Sequence, residues 1–251
     1  MRIEIQQIII DIKAAARIGH AESMWTALNG LLEYPEVIGN PHIPDPFLTT
    51  VVLPIGKALI HPRLSRAALR QLLNQPDAVL RAIGAVVFAH FYITDKDSTD
   101  QTLKIFSQDP RPDVRKALSM RLSQGGQSAP EKIRALVTAW IAPVSPRAQG
   151  VALQILPATQ DTAFIFESLA NFTSIIDPEL REILSETLAT LAENISAEQV
   201  LVQLTTWAES NTDYLWVSCK TLSRAWAANH AESALNILTQ LGSQSGPHKQ
   251  I

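Results

Sequence analysis

The chain has 251 residues, of which 46% are apolar and 18% charged, with a formal net charge of −3 and an isoelectric point near 6.1. That balance supplies ample core. It lacks the basic excess of a protein that grips the nucleic-acid backbone. The single cysteine, Cys219, excludes an internal disulfide and a cysteine-based zinc site, which fits a reducing cytoplasm.

Residues 2–18 and 21–33 are predicted as two amphipathic helices separated by Gly19 and His20. Ile8, Ile9, Ile12 and Ala16 form the first stripe, and Trp25, Leu28, Leu31 and Leu32 the second. The apolar run at the start is interrupted by Glu4, Asp11 and Lys13, so it is too short to span a membrane, and no other stretch reaches that length. Residues 34–46 carry four prolines and a glycine, which precludes a continuous helix. That loop is read as a contact surface or as a splice between helical units. A helix over 47–60 contains Pro54 and is expected to kink or split there. His61-Pro62 is expected to start another, with Leu64, Ala68, Leu69 and Leu72 inward. Gln75-Pro76 starts a third, running to about Tyr92; its interior, residues 83–89, is apolar nearly all round and predicts burial on several sides. Ser98 or Thr99 caps the next short helix, which carries Leu103, Ile105 and Phe106.

Beyond this point the alternation is regular. Helices are predicted over 112–123 (stopped by Gly125-Gly126), 130–141, 146–156, 161–172, 178–193, 197–209 (capped by Ser196), about 213–228, and 231–241. Residues 242–251 form a polar tail. No strand is expected.

One pattern recurs. Leu80, Val114, Ala148, Leu180 and Leu215 fall 34, 34, 32 and 35 residues apart, each near the start of a predicted helix. Four of the five follow a proline-marked turn, as in Asp109-Pro-Arg-Pro-Asp113 and Asp177-Pro-Glu179. Proline at a first helical position costs little, because its missing N–H would be unpaired there. A preceding Asp or Ser can accept from the orphan amides. A period of this length is the signature of stacked helix pairs, none of which can bury its apolar face alone.

At the Asp-Pro-x-x-Val-Arg pattern, and over roughly residues 62–241, the chain resembles HEAT and HEAT-like repeats. The resemblance implies an all-α fold, a HEAT-like α-α superhelix in a single domain. Residues 1–73 would form an irregular helical cap and 74–241 about five units. The low charge and high apolar content point to a non-enzymatic scaffold that presents a concave groove to a protein partner, with no cofactor or metal. The groove candidates are Arg81, Arg115, Arg121, Gln149 and Arg181. The same arginines, with Asp77, Asp113 and Glu179, could instead form the inter-repeat ladder known in HEAT-like proteins. Arg111, Arg121 and Arg134 add local positive charge.

Residues 213–238 are similar in spacing to the end of the DNA-alkylation-repair HEAT-like glycosylases. Trp216 and Val217 stand where that family has valine and a basic residue, and Trp140 is followed four residues later by Val144 rather than an acid. Trp207, Tyr214, Trp216 and Trp226 could form an aromatic platform for a base, or fill the core of the last repeat. Nucleic acid is thus an alternative partner, disfavoured by the net charge. A lyase or chaperone role, as in HEAT-like phycobilin lyases, is a second alternative. The high apolar content also makes self-association an expectation. The histidines, His20, His42, His61, His90, His230 and His248, show no metal-ligand spacing, and Cys219 is expected to pack in the core.

Overall fold

A computed structural model describes residues 3–34, 42–95, 100–126, 128–142, 145–170, 177–210 and 214–244. Among these there are helices and turns but no strand, so the fold is all-α. The chain divides into two compact units, Met1–Lys132 and Ile133–Ile251. Among the described residues, no helix is long and apolar enough to cross a membrane.

The first unit opens with α1 (Ile3–Ile18) and α2 (Ala21–Gly30), which pack on each other. Ile5, Ile9, Ile12 and Ala16 are buried, a stripe at i, i+4, i+7 and i+11; Ile8 lies half out of it. In α2 the inward residues are Met24 and Leu28, followed by Leu31, while Trp25 and Leu32 sit at the margin. The turn between the helices uses Gly19 at φ +77°, a conformation open to glycine at no steric cost. His20 then caps α2, its Nδ1 accepting from Ser23 N at 3.2 Å.

Most of the proline-rich loop lies outside the described residues. The chain re-enters at His42, and Ile43 N donates to Asp113 Oδ2 at 2.8 Å. From there α3 (Asp45–Phe47), a π turn (Leu48–Val52) and α4 (Leu53–Leu59) run on without interruption. The expected break at Pro54 is therefore a widened turn just before it. The π turn relieves the clash that a proline ring makes with the preceding turn.

The helix expected at His61 begins five residues later, at Arg66. Residues 61–64 form a turn, with Leu64 N donating to His61 O at 2.9 Å. Ser65, not the proline, caps α5 (Arg66–Arg70), accepting from Ala68 N at 3.2 Å. Asp77 caps α6 (Ala78–Thr94), accepting from Val79 N at 2.8 Å and Leu80 N at 3.1 Å. Helix α6 packs against α4 on one side and α8 (Pro112–Gly125) on the other, with α7 (Gln101–Ser107) alongside, which explains its nearly all-apolar interior. The caps proposed at Ser98 and Thr99 lie outside the described residues. The start of α9 (Pro130–Ile141) is fastened to α6: Lys132 Nζ donates to Tyr92 O at 2.6 Å, and Tyr92 OH donates to Lys132 O at 3.2 Å.

The second unit continues with α10 (Pro146–Ile155), α11 (Thr162–Ala170), α12 (Pro178–Leu191), α13 (Ala197–Ser210), α14 (Leu215–Leu222) and α15 (Ala231–Gln244). Here α10, α12 and α14 pack in succession, and α11, α13 and α15 do the same. In the first unit, α1, α4, α6 and α8 follow the same alternating scheme. Each unit is thus compatible with a helical repeat. A second π turn, Ala192–Ser196, leads from α12 into α13, and Ser196 Oγ accepts from Gln199 N at 3.2 Å. The helix expected over 213–228 stops at Leu222. It resumes as a 3-10 segment, Ala225–His230, in which Trp226 and Ala227 are buried. Cys219 is exposed rather than packed in the core, because the buried stripe of α14 runs through Val217, Ser218 and Thr221.

Candidate functional site

The arginine row turns inward on one carboxylate. The Asp109 side chain is only 1% exposed and accepts from Arg81 Nε at 2.8 Å. Arg111 grips it from the other side through Nε at 2.8 Å, Nη2 at 2.9 Å and its backbone N at 3.0 Å. Burial alone pushes the Asp109 carboxyl up, but the arginine hydrogen bonds outweigh it and hold the group below the usual carboxylate range. Arg115, only 3% exposed, donates to Asp109 O at 2.5 Å. Arg81 also donates to Leu73 O and lies over the Phe106 ring, 5.4 Å from its centroid. Arg111 Nη1 donates to Pro76 O at 2.6 Å. These bonds tie the turn before α8 to the start of α6.

Arg115 is therefore an interior residue rather than part of an open groove. A buried guanidinium needs fixed acceptors, and the turn at Asp109 supplies one. Arg121 is half-buried, with Nη2 2.5 Å from His90 Nδ1. Burial lowers the pKa of both groups, and Arg121 lowers that of His90 further. Gln149 Nε2 donates to Ile141 O at 3.0 Å. Arg181 is half-buried on α12. Of the acids expected beside these residues, Asp77 caps its own helix and Asp113 holds Ile43 N.

The C-terminal aromatics separate into two kinds. Trp207 and Tyr214 are buried and stacked, 4.3 Å between centroids at 13°. Trp226 is buried too, against His230. Only Trp216 faces solvent, 39% exposed, with Lys220 Nζ 5.8 Å from its ring centroid. Three of the four rings fill core, so the four do not make a platform.

The feature that can receive a ligand was not among the residues singled out from sequence. It is a cleft of about 630 Å³ in the first unit, where the C-terminal half of α1 meets α4 and the end of α8. Lys13 and Arg17 line it from α1; Lys57 and His61 line it from α4 and the turn that follows. Leu53, Pro54, Ala58 and Met120 supply the apolar part. No carboxylate lines it, and no carboxylate among the described residues pairs with Lys13, Arg17 or Lys57.

Local structure fixes this arrangement. Gly19 lets the 61–64 turn come close: a Cβ at Gly19 would lie 2.6 Å from Arg63 O. Arg63 Nη1 then donates to Arg17 O at 3.2 Å, which joins the end of α1 to the His61 turn. Gly56 lets α4 press on α6, since a Cβ there would lie 2.4 Å from Val86 Cγ1. A second, smaller hollow of about 460 Å³ lies between α13 and α15, where Val202 is exposed.

Comparison with known proteins returned no match, whether to family models, to curated proteins or to solved structures.

Proposed function

We propose that the chain is a non-enzymatic binding module of HEAT-like helical-repeat architecture that holds a protein partner through the basic cleft of its first unit. The observation that carries this reading is the cleft itself. In a chain of net charge −3, three cations and a histidine converge with no acid among the lining residues. Unneutralised charge of one sign in a concavity focuses the field and attracts the opposite sign. The repeat period and the alternating packing of helices in each unit support the HEAT-like architecture. The DNA-binding alternative draws less support, because Trp207, Tyr214 and Trp226 are spent on core. The lyase alternative needs an enclosed apolar pocket for a chromophore, whereas the cleft is rimmed by exposed cations.

The test is a pull-down from the native host's lysate, at low and moderate salt, with the wild type beside the charge-reversed variant Lys13→Glu, Arg17→Glu, Lys57→Glu. The expected result is a discrete protein retained at moderate salt by the wild type and lost by the variant. Equal recovery by both would remove the cleft from the function. Recovery of nucleic acid, lost as salt rises, would replace the proposal with the DNA-binding one.

A further inference from the structure

We infer that the cleft takes an acidic segment of the partner in which two carboxylates, one helical turn apart, flank an apolar side chain. This inference rests on the binding-module reading above. Its first support is a charge balance. Lys13, Arg17 and Lys57 bring three positive charges to the cleft. Helix α1 ends at Ile18 and α4 at Leu59, so both C-termini lie at its rim. Each helix C-terminus carries roughly −0.5 of a charge, so the three cations and two helix ends sum to about +2. Two carboxylates cancel that.

Spacing gives the second support. Lys13 and Arg17 are four residues apart on one helix face, with Cβ atoms about 5–6 Å apart. Two carboxylates at i and i+4 of a docked helix repeat that separation. His61 adds a donor on the opposite wall. Its Nδ1 accepts from Arg63 N at 3.4 Å, which leaves Nε2 as the donor nitrogen.

The third support is the apolar part. Leu53, Pro54, Ala58, Ile60 and Met120 line the same cleft as the cations, and the flexible Met120 thioether adapts to an incoming side chain. A lone phosphate would leave this surface unused. A volume of about 630 Å³ holds several side chains, and the exposed rim lets a polypeptide enter and leave. A nucleic-acid strand would want stacking partners, yet no Trp, Tyr or Phe lines the cleft.

The position of Arg17 and Lys57 in last helical turns has a simpler use, compensation of the helix dipole. That use does not call for Lys13, which sits mid-helix. Among the described residues, no carboxylate pairs with any of the three ammonium and guanidinium heads.

The experiment is fluorescence anisotropy with the full chain and labelled helical peptides. One carries Glu-x-x-Leu-Glu, the second has the same composition with the two Glu on opposite faces, and the third has Gln in place of Glu. The first peptide is expected to bind the wild type at least tenfold more tightly than it binds the variant Lys13→Gln, Arg17→Gln, Lys57→Gln. It is also expected to bind at least tenfold more tightly than the Gln peptide and severalfold more tightly than the rearranged one. A melting curve checks that the variant, altered at exposed positions, keeps its fold. Equal binding of the first two peptides would overturn the spacing, and equal binding to wild type and variant would overturn the site. Tighter binding of a single-stranded oligonucleotide of the same charge would overturn the choice of ligand. If all three peptides fail while a lysate protein is still lost on charge reversal, the inference falls and the binding-module reading stands.

Discussion

Asp109 concentrates more consequence than any other side chain described. It is almost fully buried, and its two arginine partners keep 14% (Arg81) and 26% (Arg111) side-chain exposure. Removing one partner of a buried pair costs about 3–5 kcal/mol; the residual exposure of the arginines puts Asp109→Ala near the lower end. Chemical denaturation of the variant should therefore show a loss of about 3 kcal/mol. The pH dependence follows from the direction of its pKa. A carboxyl held below its unfolded value of 3.8 contributes stability above that value and loses it as pH falls through the folded one. The wild type should thus lose stability steeply below about pH 4, and Asp109→Asn should be weaker at neutral pH but flatter in that window. His90 acts in a second window. Its pKa lies below 6.5 in the fold, so the unfolded chain binds the proton first and stability declines as pH drops from there. His90→Gln should remove that decline. Trp207 and Trp216 form a contrasting pair: Trp207→Ala should cost about 3–5 kcal/mol by emptying a core site, whereas Trp216→Ala should stay within about 0.5 kcal/mol. Urea melts of the two, side by side, check both values.

At the scale of the element, the close approach of α4 to α6 depends on Gly56. Gly56→Ala would set a methyl 2.4 Å from Val86 Cγ1 and 2.7 Å from Val86 Cβ. Overpacking of this kind costs about 1–3 kcal/mol, and a denaturant melt should register it, with Gly56→Ala, Val86→Ala recovering part of the loss. The helix starts were legible in sequence wherever the signal is local. Pro112, Pro130, Pro146 and Pro178 each open a helix as predicted, because a fixed φ and a dispensable N–H act within one turn. The start at His61-Pro62 was misplaced for the same reason in reverse. A proline also suits a plain turn, and Ser65 offered the better cap. The end of the helix beginning near 213 was overrun, because Trp226 finds its buried place only through a change to 3-10 geometry, which apolar spacing does not signal.

At the scale of the molecule, the cleft was not legible. Lys13 and Arg17 are forty or more residues from Lys57 and His61, and each reads alone as a solvated side chain on a polar face. What makes a site is that no acid among the described residues lines their meeting point, which is a property of packing. The ladder was closer to legible, since its residues sit at repeat positions. Its hub was not, because Asp109 lies 28 residues from Arg81. If the cleft binds through about two net charges, the slope of log affinity against log salt should be shallow, near that of a two-charge contact and far from the steep values of proteins that neutralise many phosphates. A salt series on the captured partner measures it. The π turn at Leu48–Val52 has a consequence for this alignment. Such a turn holds one residue more than the α turn it replaces, and one residue corresponds to about 100° of rotation at 3.6 residues per turn. Wound as plain α-helix, the same residues would shift the phase of everything up to Leu59 by that angle. Lys57 would swing away from Lys13 and Arg17, and Ile55 and Leu59 would leave the interior. The meeting of the cations is thus decided by the winding of one turn, upstream of the charges themselves.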